Sequence, residues 1–159
     1  MIATEPTTNT VAVPGATMTY DIRPAAAGTS EPPLLLIGSP MGASGFEQLV
    51  SHFGDRTVIT YDPRGMERST RTPGGKLTAE THAEDYHRVI AAVGLGPVDA
   101  FGSSGGGMCA LHWVVAHPGD VHTLVSLEQG HQWGLVGDER VDVLRVSDDP
   151  VQGAHPAPA

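Results

Sequence analysis

From residue 34 onward, short unbroken apolar runs alternate with longer stretches whose apolar residues recur every three or four positions. Runs of four to eight apolar residues bounded by turn residues read as strands buried on both faces, and the three-to-four period reads as one face of a helix. Strands are therefore predicted at 34–37, 57–61, 98–101 and 121–127. Between the first two, Phe46, Leu49, Val50 and Phe53 mark a helix whose start carries Ser44 and Glu47 at capping-box spacing. A second helix has Thr81 and Glu84 at the same spacing, an apolar face of Ala83, Tyr86, Ile90 and Val93, and Gly94 then Pro97 to end it. A third has Met108, Leu111, Val114 and Val115 on its apolar face and stops at His117-Pro118-Gly119. Upstream, residues 8–23 alternate around Pro14-Gly15 and predict a β-hairpin, and residues 66–77 are polar and Gly-rich, a surface loop.

Strand and helix in alternation predict an α/β domain with a mostly parallel sheet, flanking helices and an antiparallel hairpin at its start. Past Glu128 the pattern fades to one apolar cluster at 141–146 and a Pro/Ala-rich tail. The expectation is a partial α/β domain over 1–146 and a disordered tail over 147–159. With no further parallel strand, the edge of the 121–127 strand would be open to the 141–146 cluster or to a second copy of the chain, a route to homo-oligomers.

Composition narrows the function classes. The 159 residues suffice for about one domain. Nine Lys and Arg against 18 Asp and Glu leave a formal charge of −9, which argues against nucleic-acid binding. Gly at 20 and Pro at 13 exceed their ordinary combined share of about 12%, so turns or a tail must absorb them. The single cysteine, Cys109, forms no internal disulfide, and no apolar run approaches the roughly 18 residues of a membrane span. A cytoplasmic protein with neither membrane nor nucleic-acid partner is expected. Cys109 itself reads as a small buried helix residue.

The chemistry sits in Gly102-Ser103-Ser104-Gly105-Gly106. G-x-S-x-G between a strand and a helix is the nucleophile elbow: the serine is exposed on a turn too tight for flanking Cβ atoms, at a helix N-terminus whose amides face a developing oxyanion. The alternative is a Gly-rich turn that only packs closely or holds a phosphate, although neither G-x-G-x-x-G nor Walker A is present.

LLLIGSPMG at 34–42, VITYDPRGMERS at 58–69 and VDAFGSSGGG at 98–107, followed by LHWVVAHPGDVHTLVSLE at 111–128, together resemble the α/β-hydrolase superfamily of small bacterial hydrolases. The resemblance implies Ser104 as nucleophile, Gly102 and Gly106 as elbow glycines, and the amides of Ser39 and Gly105 as oxyanion donors. Asp62-Pro63-Arg64-Gly65 resembles the family's D-x-R-G loop, with Arg64 in a structural role and Glu67 where glycine is common. Glu128, at the end of the 121–127 strand, matches an early position of the triad acid; Asp138 and Asp142 are weaker matches. Of the two histidines after Glu128, His155 lies in the tail and His131 is only three residues on, so neither matches the family's base. The six earlier histidines read as surface or core residues. On this resemblance the chain is truncated before the strands that carry the histidine.

Two functions follow. One is a serine hydrolase acting on a small ester or related acyl compound through Ser104, with no cofactor and no metal. The other is a catalytically silent, shortened relative that binds a ligand or pairs with another chain.

Overall fold

The computed structural model describes residues 5–26, 29–129 and 139–145, with the backbone alone at 128–129, 139–142 and 145. Seven strands form one sheet in the order β1-β2-β4-β3-β5-β6-β7. β1 (Thr7–Val13) and β2 (Ala16–Arg23) make the hairpin around Pro14-Gly15, where Gly15 takes φ 74°. β2 runs antiparallel to β4 (Val58–Tyr61), and β4, β3 (Leu34–Ile37), β5 (Val98–Ser103) and β6 (Val121–Gln129) are parallel. The α/β expectation, hairpin included, is met.

Why β3 is an unbroken apolar run is visible in its two faces. Leu34 and Leu36 pack with Phe46, Val50 and Val58, whereas Leu35 and Ile37 join the larger core beneath the two long helices. Those helices are α2 (Ala79–Val93) and α3 (Gly105–Ala116). Their contact is aromatic: Tyr86 lies edge-on to both Tyr61 and Trp113, with ring centroids 5.4 and 5.7 Å apart. Such pairs contribute about 0.5–1.5 kcal/mol each beyond the area they bury. No helix among the described residues is long and apolar enough to cross a membrane.

Three expectations need correction. The first helix is only a 3-10 turn (Ala43–Phe46) running into one α-turn, α1 (Glu47–Val50), and no capping box forms, because the Ser44 hydroxyl donates to Glu67 Oε1 at 2.7 Å instead. α2 starts earlier than its predicted cap: Thr78 is the N-cap, its hydroxyl accepting from the Thr81 amide, while Gly94 closes the helix at φ 70° as expected. The face of α3 is rotated. Val114 is buried, but Met108, Leu111 and Val115 are exposed, and Cys109, Ala110 and Trp113 turn inward with Gly106 and Gly107. The glycines decide this, since only a first turn without side chains at Gly106 and Gly107 fits the close approach to the sheet. The edge of β6 is covered by β7 (Glu139–Arg145), paired antiparallel from Thr123↔Arg145 to Gln129↔Glu139, as expected if the 141–146 cluster closes that edge. The outer edge of the described sheet is therefore β7, whose Val143 and Leu144 are exposed. The expected tail at 147–159 lies outside the described residues.

Candidate active site

β5 ends at Ser103 and α3 begins at Gly105, so Ser104 alone spans the reversal from strand to helix. It does so at φ 52°, ψ −125°, a region that costs a non-glycine residue about 1–3 kcal/mol. The strain is held from two sides: the Ser104 amide donates to the Leu127 carbonyl of β6 at 2.8 Å, and its carbonyl accepts from the Gly107 amide at 2.9 Å. The residue is exposed.

Each glycine of the motif has a steric reason. A Cβ on Gly102 would stand 2.7 Å from Gly107 Cα, and one on Gly106 would stand 2.6 Å from the Ile37 carbonyl oxygen, both backbone neighbours that cannot swing aside. At Gly107 the obstacle is the Ser126 hydroxyl, which leaves no room for a methyl. Ser126 is itself buried, and its hydroxyl has no hydrogen-bond partner among the described residues. These contacts draw the start of α3 onto the ends of β3 and β6.

That approach brings Ser39 and Gly105 together. The Ser39 carbonyl oxygen lies 3.2 Å from where a Gly105 Cβ would be, so the loop after β3 borders the first residue of α3. Neither the Ser39 nor the Gly105 amide donates to another group among the described residues. Beside Ser39 opens a cleft of about 430 Å³, walled by Pro40, by Pro63 to Met66 of the loop after β4, and by Leu77 and His82.

The loop after β4 is braced by buried charge. Asp62, fully buried, accepts from the Ala43 amide at 2.9 Å and from Arg68 Nε at 2.6 Å. Arg64 pairs through two nitrogens with Asp85 on α2 and donates from Nη1 to the Pro14 carbonyl, the structural role expected of it. Glu67, where the family commonly has glycine, is left-handed at φ 44°.

Ser104, Gly105, Gly102, Gly106 and Ser39 thus meet where the parallel strands β3 and β5 end. Glu128 follows Leu127, whose carbonyl holds Ser104, and its backbone pairs with Arg140; it stands at the same end of the sheet by register. No histidine is hydrogen-bonded to Ser104 among the described residues, and His131, His155 and Asp138 lie outside them. Cys109 is a free buried thiol, and burial raises its pKa, as suits a packing residue.

In the sequence His82 is one histidine among several. In the fold it is buried against Tyr86, its Nδ1 lacks a partner among the described residues, and burial pushes its imidazole below the usual range, with Asp85 opposing the shift and Arg64 adding to it. The available signal was its place on the inward face of α2, one turn ahead of Tyr86.

Comparison with known proteins agrees with this fold. The family profile described as alpha/beta hydrolase fold matches residues 32–148. The chain is 35% identical over 123 residues to the uncharacterized hydrolase YraK of Bacillus subtilis, a match covering 75% of this chain and 43% of that protein. An alpha/beta hydrolase from Novosphingobium aromaticivorans superposes with a TM-score of 0.65 at 21% identity, covering 80% of this chain and 45% of that one. A bacterial membrane phospholipase A superposes at 0.67 and 23% identity, covering 76% and 39%. The chain spans less than half the length of each of these relatives.

Proposed function

Because the chain belongs to the alpha/beta hydrolase fold family, a family of hydrolases, we propose that it is a serine hydrolase acting on a small ester or related acyl compound through Ser104. The observation that carries this reading is the strained, exposed Ser104 at the strand-to-helix turn, beside two amides with no other partner among the described residues. Ser104 Oγ attacks the acyl carbon. The amides of Ser39 and Gly105 then receive the oxyanion, and the cleft beside Ser39 takes part of the substrate. Glu128, at the same end of the sheet, is the acid of the triad in this reading.

A serine hydroxyl needs a base, and none of the described histidines is bonded to Ser104. That observation favours a second reading, a silent relative that binds acyl ligands in the cleft. The two separate on rate: an oxyanion site with substrate binding sustains roughly 10³–10⁴-fold acceleration over water even without a full triad, whereas a binder sustains none.

Labelling with a fluorophosphonate distinguishes them. Covalent modification of the parent chain, lost in Ser104→Ala, is the outcome expected of a serine hydrolase. A parent chain that stays unlabelled while folded overturns that function and leaves the binding protein.

A further inference from the structure

At the far end of α3 from the elbow, the fold gathers two imidazoles and two carboxylates that the hydrolase chemistry does not use. Asp120, in the 3-10 turn Pro118–Asp120, accepts at Oδ2 from Trp113 Nε1 at 2.9 Å and from His87 Nδ1 at 2.8 Å. His117 Nε2 meets Glu84 Oε1 at 2.7 Å. The His87 and His117 rings are stacked with centroids 3.8 Å apart and planes 6° from parallel. One ligand atom from each of His87, His117 and Asp120 lies within 4.8 Å of the others, and all three residues are half-buried.

These contacts fix where the protons are. An ionised carboxylate can only accept, so the hydrogens sit on His87 Nδ1 and His117 Nε2. The two carboxylates bring two negative charges to the cluster. Arg88 beside them lies 4.0 Å from Glu84. Carboxylate charge with imidazole nitrogen suits a borderline divalent transition metal, while Mg²⁺ and Ca²⁺ prefer oxygen alone.

We propose that His87, His117 and Asp120 form a binding site for a divalent transition metal of the Zn²⁺ type. Glu84 keeps the Nε2 hydrogen of His117 and so presents its Nδ1 lone pair, and Trp113 orients the Asp120 carboxylate, the supporting contacts that metal ligands require. His87 takes its Nε2–H tautomer, exchanging through solvent the Nδ1 hydrogen it shares with Asp120 for one at Nε2, and the ion takes the place of the Nδ1 hydrogen. Zn–N bonds of about 2.0–2.1 Å put tetrahedral ligand atoms roughly 3.3–3.5 Å apart, so ligand atoms within 4.8 Å of one another must close by up to about 1.5 Å. Parallel stacked rings cannot both aim in-plane lone pairs at one ion. The rings therefore splay about χ2 on binding, and the ion ties α2 to the end of α3.

The test is a Co²⁺ titration of the full chain after chelator treatment, read by visible absorption, with Zn²⁺ thermal melts beside it. The expected result is a band of tetrahedral intensity and a rise in thermal midpoint of about 5–10 °C at a hundredfold excess over the dissociation constant. His117→Ala and Asp120→Asn should each weaken Co²⁺ binding by about tenfold or more, whereas His131→Ala and His155→Ala should leave it unchanged. The amide oxygen of the Asp120→Asn variant would still accept from Trp113, which guards the fold, and circular dichroism checks it. Absence of both band and thermal shift in the parent chain overturns the site, as does binding that survives His117→Ala and Asp120→Asn or is lost with His131 or His155.

Discussion

Arg64 and Asp85 join the loop after β4 to α2 through a buried two-pronged pair, Nε to Oδ2 at 2.7 Å and Nη2 to Oδ1, with Asp85 only 1% exposed. The third arm of the guanidinium reaches the Pro14 carbonyl, so one side chain ties the hairpin turn, the cleft wall and the helix together.

Removing one partner strands the other charge in the interior. Asp85→Ala should therefore lower unfolding free energy by about 3–5 kcal/mol, measured by urea denaturation. The paired replacement Arg64→Met with Asp85→Leu should recover most of that loss, since no buried charge remains unpaired. Equal losses in the single and paired variants would show that the pair itself, not the stranded charge, carries the stability.

The elbow glycines make a steric prediction. Gly102→Ala and Gly106→Ala place a methyl within 2.7 and 2.6 Å of backbone atoms, so each should destabilise by about 1–3 kcal/mol and sharply reduce fluorophosphonate labelling of Ser104. Gly74→Ala is not the right control, because φ there is 88°; Gly119→Ala, which meets open space, should leave both readouts near parent values.

Ser104 is a residue on which stability and chemistry oppose each other. Ser104→Gly should raise thermal stability relative to Ser104→Ala by about 1 kcal/mol, because glycine accepts φ 52° and alanine does not. Both variants should be unlabelled by the probe. Differential scanning calorimetry of the three chains checks the ordering.

His82 sets a pH dependence. Burial depresses its folded-state pKa below the unfolded value of about 6.5, so the unfolded chain takes up the proton first. The stability linked to neutral His82 is fully present above about pH 6.5 and is lost as pH falls from there through its folded-state pKa. Urea midpoints recorded across that window should fall in the parent and fall less in His82→Phe, which keeps an aromatic ring against Tyr86. Parallel slopes would remove His82 as the cause.

What could be read from the chain beforehand was whatever local pattern dictates. β3 and β4 declared themselves because Leu34–Ile37 and Val58–Tyr61 are buried at every position, and Gly94 marked the end of α2 because a left-handed closure needs it. The orientation of α3 was not legible, since apolar residues surround that helix and no stripe stands out. Gly106 and Gly107, silent in any hydrophobicity pattern, choose its inward face. Of the candidate site, Ser104 and the elbow glycines were legible in the G-x-S-x-G spacing, and Ser39 only through the family resemblance. The pairing of Arg64 with Asp85 and the burial of His82 depend on how α2 seats against the sheet. The meeting of His87 with His117 and Asp120 depends on α2 lying against α3, which joins residues far apart in the chain only after folding.

The crowding of Ser126 against Gly107 has a practical reach. Residue 126 is the spacer between β6 and the first turn of α3, and it is buried away from solvent and outside the cleft wall. A graded series of small side chains there would raise or lower Ser104 from beneath, as a shim adjusts a bearing, while the cleft wall keeps its own residues.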